Sequence, residues 1–368
     1  FVSGGLLVLL ALSIPVGIVL FLLAFGIDWL FSPFPLSRGL GQLMWSASNS
    51  ATLVAIPFFV LVGEILVRSG VAERTYAALD KWVSWLPGGL IHANIATATM
   101  FSATSGSSVA TSATVATVAM PQAEWLGYDP RLFAGSIAAG GTLGIMIPPS
   151  INLIIYGFLT ESSIPQLFLA GLIPGLLLAF SFMVITALLC LRYPAFGGPG
   201  RHSTWAEKWS SLRHLGPILA LFLVIVGSIY TGLATPTEAA ALGVAMAFAI
   251  AAANRGISRE MLAQCLRGTV RITAMIMLVV LGASFLNFAL TAAGLGRALQ
   301  AGLEGLGFGA LGTLLVIVAL YILLGFFIET LSLMVATIPI VAPVVFGLGY
   351  DKVWFGVLLI ILVEMALI

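Results

Sequence analysis

"MPQAEWLGYDPRLFAG", from Met120 to Gly135, and "APVVFGLGYDKVWFGV", from Ala342 to Val357, decide how this chain is read. Pro121, Gly127, Tyr128, Asp129 and Phe133 of the first recur as Pro343, Gly349, Tyr350, Asp351 and Phe355 of the second, all at an offset of 222. Three of the identities are consecutive, in segments otherwise unlike, so the chain contains an internal repeat. At the same offset the stretch "MFSATSGSSVATSATVATVAMP" (100–121) falls on "ILLGFFIETLSLMVATIPIVAP" (322–343).

The solvent of this repeat is lipid. Across 368 residues only 8% are charged and 60% are hydrophobic, and mean hydropathy is +1.14. Apolar runs recur at 4–27, 167–191, 214–231 and 308–328, and about 20 apolar residues suffice to span a bilayer as a helix. The composition defines an all-α polytopic membrane protein. Residues 4–27 lack a basic leader and are followed by more spans, so they read as a membrane helix and not as a signal peptide. A net charge of +1 gives no reason to expect a nucleic-acid partner. Cys190 and Cys265 lie far apart, and His92, His202 and His214 show no ligand spacing, so neither a disulfide framework nor a zinc site is expected.

Basic residues orient the spans. Arg192, Arg201, Lys208 and Arg213 cluster in 192–214, and Arg255, Arg259, Arg267 and Arg271 in 254–271. Two apolar runs, 214–231 and 237–254, separate the clusters, so both face one side, the cytoplasm. Arg68, Arg74 and Lys81 add a third cytoplasmic group, and 70–86 and 257–268 read as amphipathic interfacial helices. Spans at 132–159, 167–191, 214–231, 237–254 and 269–292 then give five crossings between the two copies. An odd number inverts the second copy, and inverted repeats with broken helices mark secondary transporters.

The breaks are legible too. In "GGTLGIMIPPSINLIIYG" (140–157) Pro148 and Pro149 lack the N–H groups that would bond the carbonyls of Gly144 and Ile145. Free carbonyls at membrane depth belong in protein or beside a wet cavity, and oxygen atoms suit a hard cation such as Na+. Ser150 and Asn152 open a half-helix whose N–H groups suit a carboxylate. Nine of the 22 residues at 100–121 are Ser or Thr, which predicts two half-helices meeting at Ser105-Gly106-Ser107 in a re-entrant hairpin. Its hydroxyls, with Ser108 beside them, face an ion or substrate; the Ala/Thr run at 110–119 serves close helix packing. The second copy carries Gly325, Glu329 and Thr330 at its tip, and Glu329 and Glu364 are costly intramembrane carboxylates. The repeat places a second Pro-Pro at 370–371, past Ile368, and the chain, opening on Phe1, reads as part of a longer one.

These residues resemble the large membrane subunit of tripartite ATP-independent periplasmic (TRAP) transporters, the C4-dicarboxylate large-subunit family. The resemblance runs in order through "IPFFVLVGEIL" (56–66), "SGSSVA" (105–110), "GYDPRLFAG" (127–135), "IPPSINLIIYG" (147–157), "LFLAGLIPG" (167–175), "TPTEAAALG" (235–243) and "GYDKVWFG" (349–356). It implies an inverted-repeat, elevator-type, Na+-coupled importer of small organic acids in the bacterial inner membrane, with two re-entrant hairpins and no cofactor. The implied partners are a small four-helix membrane subunit and a periplasmic substrate-binding protein. Its implied ion-binding residues are Ser105, Gly106, Ser107, Gly144, Ile145, Gly325 and Thr330; Ser108, Pro148, Pro149, Ser150, Asn152 and Glu329 would meet substrate. Residues 1–87 and 161–305 would be scaffold and interfacial arms, and 88–160 and 306–368 the two transport halves. Several relatives place an acid after the SGSxxA motif where this chain has Thr111. Arg131 and Lys352, which follow the GYD motifs, are expected as interfacial anchors.

An intramembrane protease would need a paired Asp, a Ser–His dyad or a His-Glu-x-x-His motif, and none is present. A Na+- or H+-coupled organic-anion transporter of similar inverted-hairpin design, working without a binding protein, is the alternative reading.

Overall fold

A computed structural model describes residues 14–32, 35–198, 203–294 and 309–365, with a few isolated positions before residue 14. Arg201, His202, the start of the span expected at 4–27, the segment before the second hairpin and Ile368 lie outside the described residues. The described residues form α-helices and short 3-10 turns, with no strand among them. Six of these helices are long and apolar enough to cross a membrane; three shorter apolar ones are Val16–Phe31, Ile151–Thr160 and Gly309–Gly325.

In chain order the helices are α1 (Val16–Phe31), α2 (Leu40–Ser48), α3 (Ala51–Arg68), α4 (Val71–Val83), α5 (Leu90–Ser105), α6 (Ser108–Leu126), α7 (Pro130–Thr142) and α8 (Ile151–Thr160). Then come α9 (Ile164–Arg192), α10 (Trp205–Tyr230), α11 (Pro236–Ala253), α12 (Arg259–Ala292), α13 (Gly309–Gly325), α14 (Thr330–Gly347) and α15 (Lys352–Met365). The chain forms two compact units. One gathers the residues before Ala55, Ile154–Ser163 and the chain from Arg271; the other holds Ala55–Leu153 and Ile164–Val270.

The GYD motif is a joint between helices. Gly127 ends α6 at φ 70°, and the Asp129 carboxylate accepts from the N–H groups of Arg131 and Leu132 to start α7, with Pro130 in its first turn. In the second copy Gly349 has φ 89° and Asp351 accepts from the Trp354 N–H at 2.8 Å. Side-chain caps of this kind replace orphan backbone partners. The packing repeats as well: α7 lies against both α5 and α6, and α15 against both α13 and α14. Within the first copy a Cβ on Gly140 would press on Ala98 and one on Gly141 would overlap Ser112, so the paired glycines let α7 wedge between the hairpin helices. "TPTEAA" is a start signal of the same kind: Thr235 and Glu238 form a reciprocal capping box at the head of α11.

Two sequence expectations change. The interfacial helix expected at 257–268 and the span at 269–292 are one helix, Arg259–Ala292. The lone Gly268 between them does not break it; it sits against the side chain of Glu64 on α3, where a Cβ would clash. The span expected from 214 begins at Trp205, because a Thr204–Glu207 capping box nucleates the helix inside the basic loop. Lys352, expected as an interfacial anchor, also acts as a helix-end cation: its ammonium donates to the carbonyl of Thr160, the last residue of α8, at 3.2 Å. Tyr156 of α8 returns a bond to the Lys352 carbonyl at 2.7 Å. In addition α2, a short helix that the apolar runs do not signal, precedes α3.

Candidate functional site

The hydroxyls of the first hairpin divide into two sets. Ser102, Thr104, Thr114 and Thr117 each donate to a carbonyl three or four residues back in their own helix. Such bonds satisfy a hydroxyl in lipid and leave a small side chain for packing. The tip differs. Gly106 turns the chain at φ 61°, and Ser107, in extended backbone, caps α6 by accepting from the Ala110 N–H at 3.4 Å. Ser105 Oγ meets Thr111 Oγ1 at 2.7 Å and reaches the Ser107 carbonyl at 3.4 Å. Both hydroxyls of the Ser105–Thr111 pair are buried, Thr111 completely. Thr111 therefore completes the tip. The sequence alone marks it only as a missing acid, since its partner is six residues away across the turn.

This tip sits on the broken helix. After α7 a 3-10 turn (Leu143–Ile145) and a non-helical segment precede α8, and the Pro148–Pro149 peptide is cis. The Ile151 N–H donates to the Gly106 carbonyl at 3.4 Å. A Cβ on Gly144 would stand 2.6 Å from the Ser107 carbonyl oxygen, and one on Gly106 2.8 Å from that of Pro149. On the other side of the tip, Gly63 of α3 comes as close: its Cβ would lie 3.2 Å from the Ser105 Cα. Ser105, Gly106, Ser107, Ser108, Gly144, Ile145, Pro148, Pro149, Ser150 and Asn152 are thus brought together in one unit.

Two of the groups that the sequence offers to a ligand are engaged. Ser150 Oγ donates to the Ile145 carbonyl, so that oxygen is not left bare. The same hydroxyl accepts from the Leu153 N–H at 3.3 Å and caps α8. Asn152 is different: it is 5% exposed and its amide Nδ2 has no hydrogen-bond partner. A buried unpaired donor costs about 1–3 kcal/mol, so Asn152 is the strongest polar handle at this break.

The second tip lies in the other unit. Gly325 ends α13, residues 326–328 turn, and Glu329 begins α14. Glu329 takes the Leu331 and Ser332 N–H groups at 3.0 and 2.9 Å, and Thr330 Oγ1 donates to it at 3.2 Å. It occupies the position of Ser107 in the repeat and performs the same capping. The sequence shows this carboxylate but not its capping role. Glu364 is fully buried in α15.

Paired helical hairpins, each crossed by a following helix, in a chain of apolar spans define a secondary transporter of inverted-repeat design. The sequence matches the family described as tripartite ATP-independent periplasmic transporter, DctM component, over residues 3–368. It is 33% identical over 340 residues to the C4-dicarboxylate TRAP transporter large permease protein DctM of Pseudomonas aeruginosa, covering 92% of this chain and 79% of that protein. To the sialic acid TRAP transporter large permease protein SiaM of Vibrio cholerae it is 32% identical, covering 97% and 83%. To the ectoine/5-hydroxyectoine large permease protein UehC of Ruegeria pomeroyi it is 29% identical, covering 96% and 83%. Its fold is similar to the crystal structure of the Alcanivorax borkumensis YdaH transporter, with TM-score 0.65 at 15% identity over 95% of this chain and 85% of that one.

The chain belongs to the DctM family of TRAP transporters. It is an inner-membrane transporter subunit and not an enzyme, one component of a tripartite system.

Proposed function

We propose that this subunit imports a small organic acid by Na+ symport, moving its hairpins as an elevator against a scaffold. The observation that carries the reading is the buried tip: Ser105, Thr111 and the Ser107 carbonyl gather oxygens against the helix break at Gly144. Oxygen-only sites favour hard cations. Asn152 Nδ2, the unpaired donor at the head of α8, supports a carboxylate as the second ligand. A periplasmic binding protein delivers the acid and a small membrane subunit braces the scaffold. In this reading residues 88–160 and 306–368 form the moving halves.

The test is thermal stability of the purified protein in NaCl, KCl and choline chloride at equal ionic strength. A ligand of the native state stabilises by RT ln(1 + [L]/Kd), about 2.7 kcal/mol at a hundredfold excess. A Na+-specific rise in Tm is expected, and it disappears in Ser105→Ala and Thr111→Val. Equal Tm in the three salts removes Na+ from the mechanism.

A further inference from the structure

A cleft on the unit that holds the first tip lies between residues that the transport reading moves and residues that it keeps as scaffold. It has a volume of about 210 Å³ and is lined by Met100 and Ala103 of α5, Leu172 and Leu176 of α9, and Leu219 and Phe222 of α10. Leu176 and Leu219 at its mouth are 48% and 45% exposed, so it opens sideways toward lipid. Its one side-chain hydroxyl, Thr99, already donates to the Ile95 carbonyl at 2.7 Å. A polar solute would find no partner there, and the volume is below the roughly 300 Å³ of ordinary small-molecule sites.

The same helix carries a basic aromatic cluster at its cytoplasmic end. The Lys208 ammonium lies 5.1 Å over the Trp205 ring and 6.0 Å over that of Trp82 from α4, whose indole N–H donates to Ser211 at 3.2 Å. Arg74, Lys81 and Arg213 all stand within electrostatic reach of His214. Three acids share this region: Glu73 precedes Arg74, Asp80 accepts from the Ser84 hydroxyl, and Glu207 holds the Thr204 N–H at 2.8 Å. Against these three carboxylates the cations Arg74, Lys81, Lys208 and Arg213 leave a small positive excess. From Lys208 to Ile218, where the cleft begins, is about 15 Å along the helix, and to Phe222 about 21 Å. That separation matches one leaflet, since the hydrocarbon core is about 30 Å thick.

We propose that this surface binds an anionic phospholipid of the cytoplasmic leaflet, with its headgroup at Lys208, between the Trp82 and Trp205 rings, and one acyl tail in the cleft. Basic clusters on the cytoplasmic side attract anionic lipid, and the tryptophans fix the headgroup level. The tail ends against Ala103 and Ile147, respectively two residues before Ser105 and directly before Pro148. A bound lipid therefore seals the membrane-facing back of the tip and its break.

Native mass spectrometry of the protein in detergent, titrated with phosphatidylglycerol or phosphatidylcholine, tests this. We expect one phosphatidylglycerol retained in preference to phosphatidylcholine, with at least tenfold weaker retention in Lys208→Glu. Leu176→Trp, which fills the mouth from an exposed position, lowers retention of both lipids. Inorganic phosphate leaves Tm unchanged. Equal retention of the two lipids, or indifference to both substitutions, overturns the proposal. So does cross-linking of Leu219→Cys to a partner helix in lipid-free protein, which would make the cleft a subunit contact.

Discussion

At Gly144 the backbone of the broken helix passes so close to the hairpin turn that a methyl group has no room. Its Cβ would meet the Ser107 carbonyl oxygen and the Ser108 nitrogen, both backbone atoms that cannot swing aside. Overpacking of this kind costs about 1–3 kcal/mol. Gly135, in the preceding α7, has nothing within 4 Å of where its Cβ would be, and there Ala gains about 0.5–1 kcal/mol of helix propensity. We expect Gly144→Ala to lower Tm and abolish uptake, and Gly135→Ala to hold or raise Tm with uptake intact. Thermal melts and proteoliposome uptake of the two variants check this, and equal behaviour would mean that the tip does not depend on this close approach.

At the scale of elements, what the chain shows most plainly is where helices begin and end. Glu329 is the clearest case, because its carboxylate takes two N–H groups at the head of α14 as Ser107 takes one at the head of α6. Removing such a cap costs about 1 kcal/mol. Glu329→Ala should therefore melt lower than wild type in choline chloride, while Glu329→Gln, which keeps an acceptor oxygen, stays near it. If Gln matches Ala, the negative charge and not the cap stabilises the tip. Those ends were largely legible in the sequence, because Gly127, Asp129, Gly349 and Asp351 act on neighbours within three residues. The two-helix hairpin at 105–107 was legible for the same reason. Continuity was not: Gly268 reads as a place to stop until Glu64, some 200 residues earlier, is seen against it. Nor were the partners that finish the site. The Tyr128 hydroxyl accepts from the Leu90 N–H at 3.0 Å and closes the base of the first hairpin. Tyr76, Asn94 and Ser136 form a buried chain joining α4, α5 and α7. Pattern and propensity carry no record of such contacts.

For the whole molecule, the decisive expectation is that the two copies run in opposite senses through the membrane. Each copy has the same hairpin, the same capped joint and the same crossing helix, so local geometry alone does not distinguish an inverted pair from a parallel one. The count of crossings does, and it rests on placing α7 with α8, α9, α10, α11 and α12 as five passages between the joints. With the basic ends of α9, α10 and α12 in the cytoplasm, the joint at Gly127 is cytoplasmic and the joint at Gly349 periplasmic. Glu124 and Gly347 flank these joints and are exposed, whereas the native Cys190 and Cys265 are buried and should stay silent. A membrane-impermeant maleimide added to intact cells should label Gly347→Cys and leave Glu124→Cys unlabelled until the inner membrane is permeabilised. Labelling of both before permeabilisation, or of neither, would place the joints on one face and make the copies parallel. The alternating exposure that an inverted pair provides would then have no structural basis in this chain.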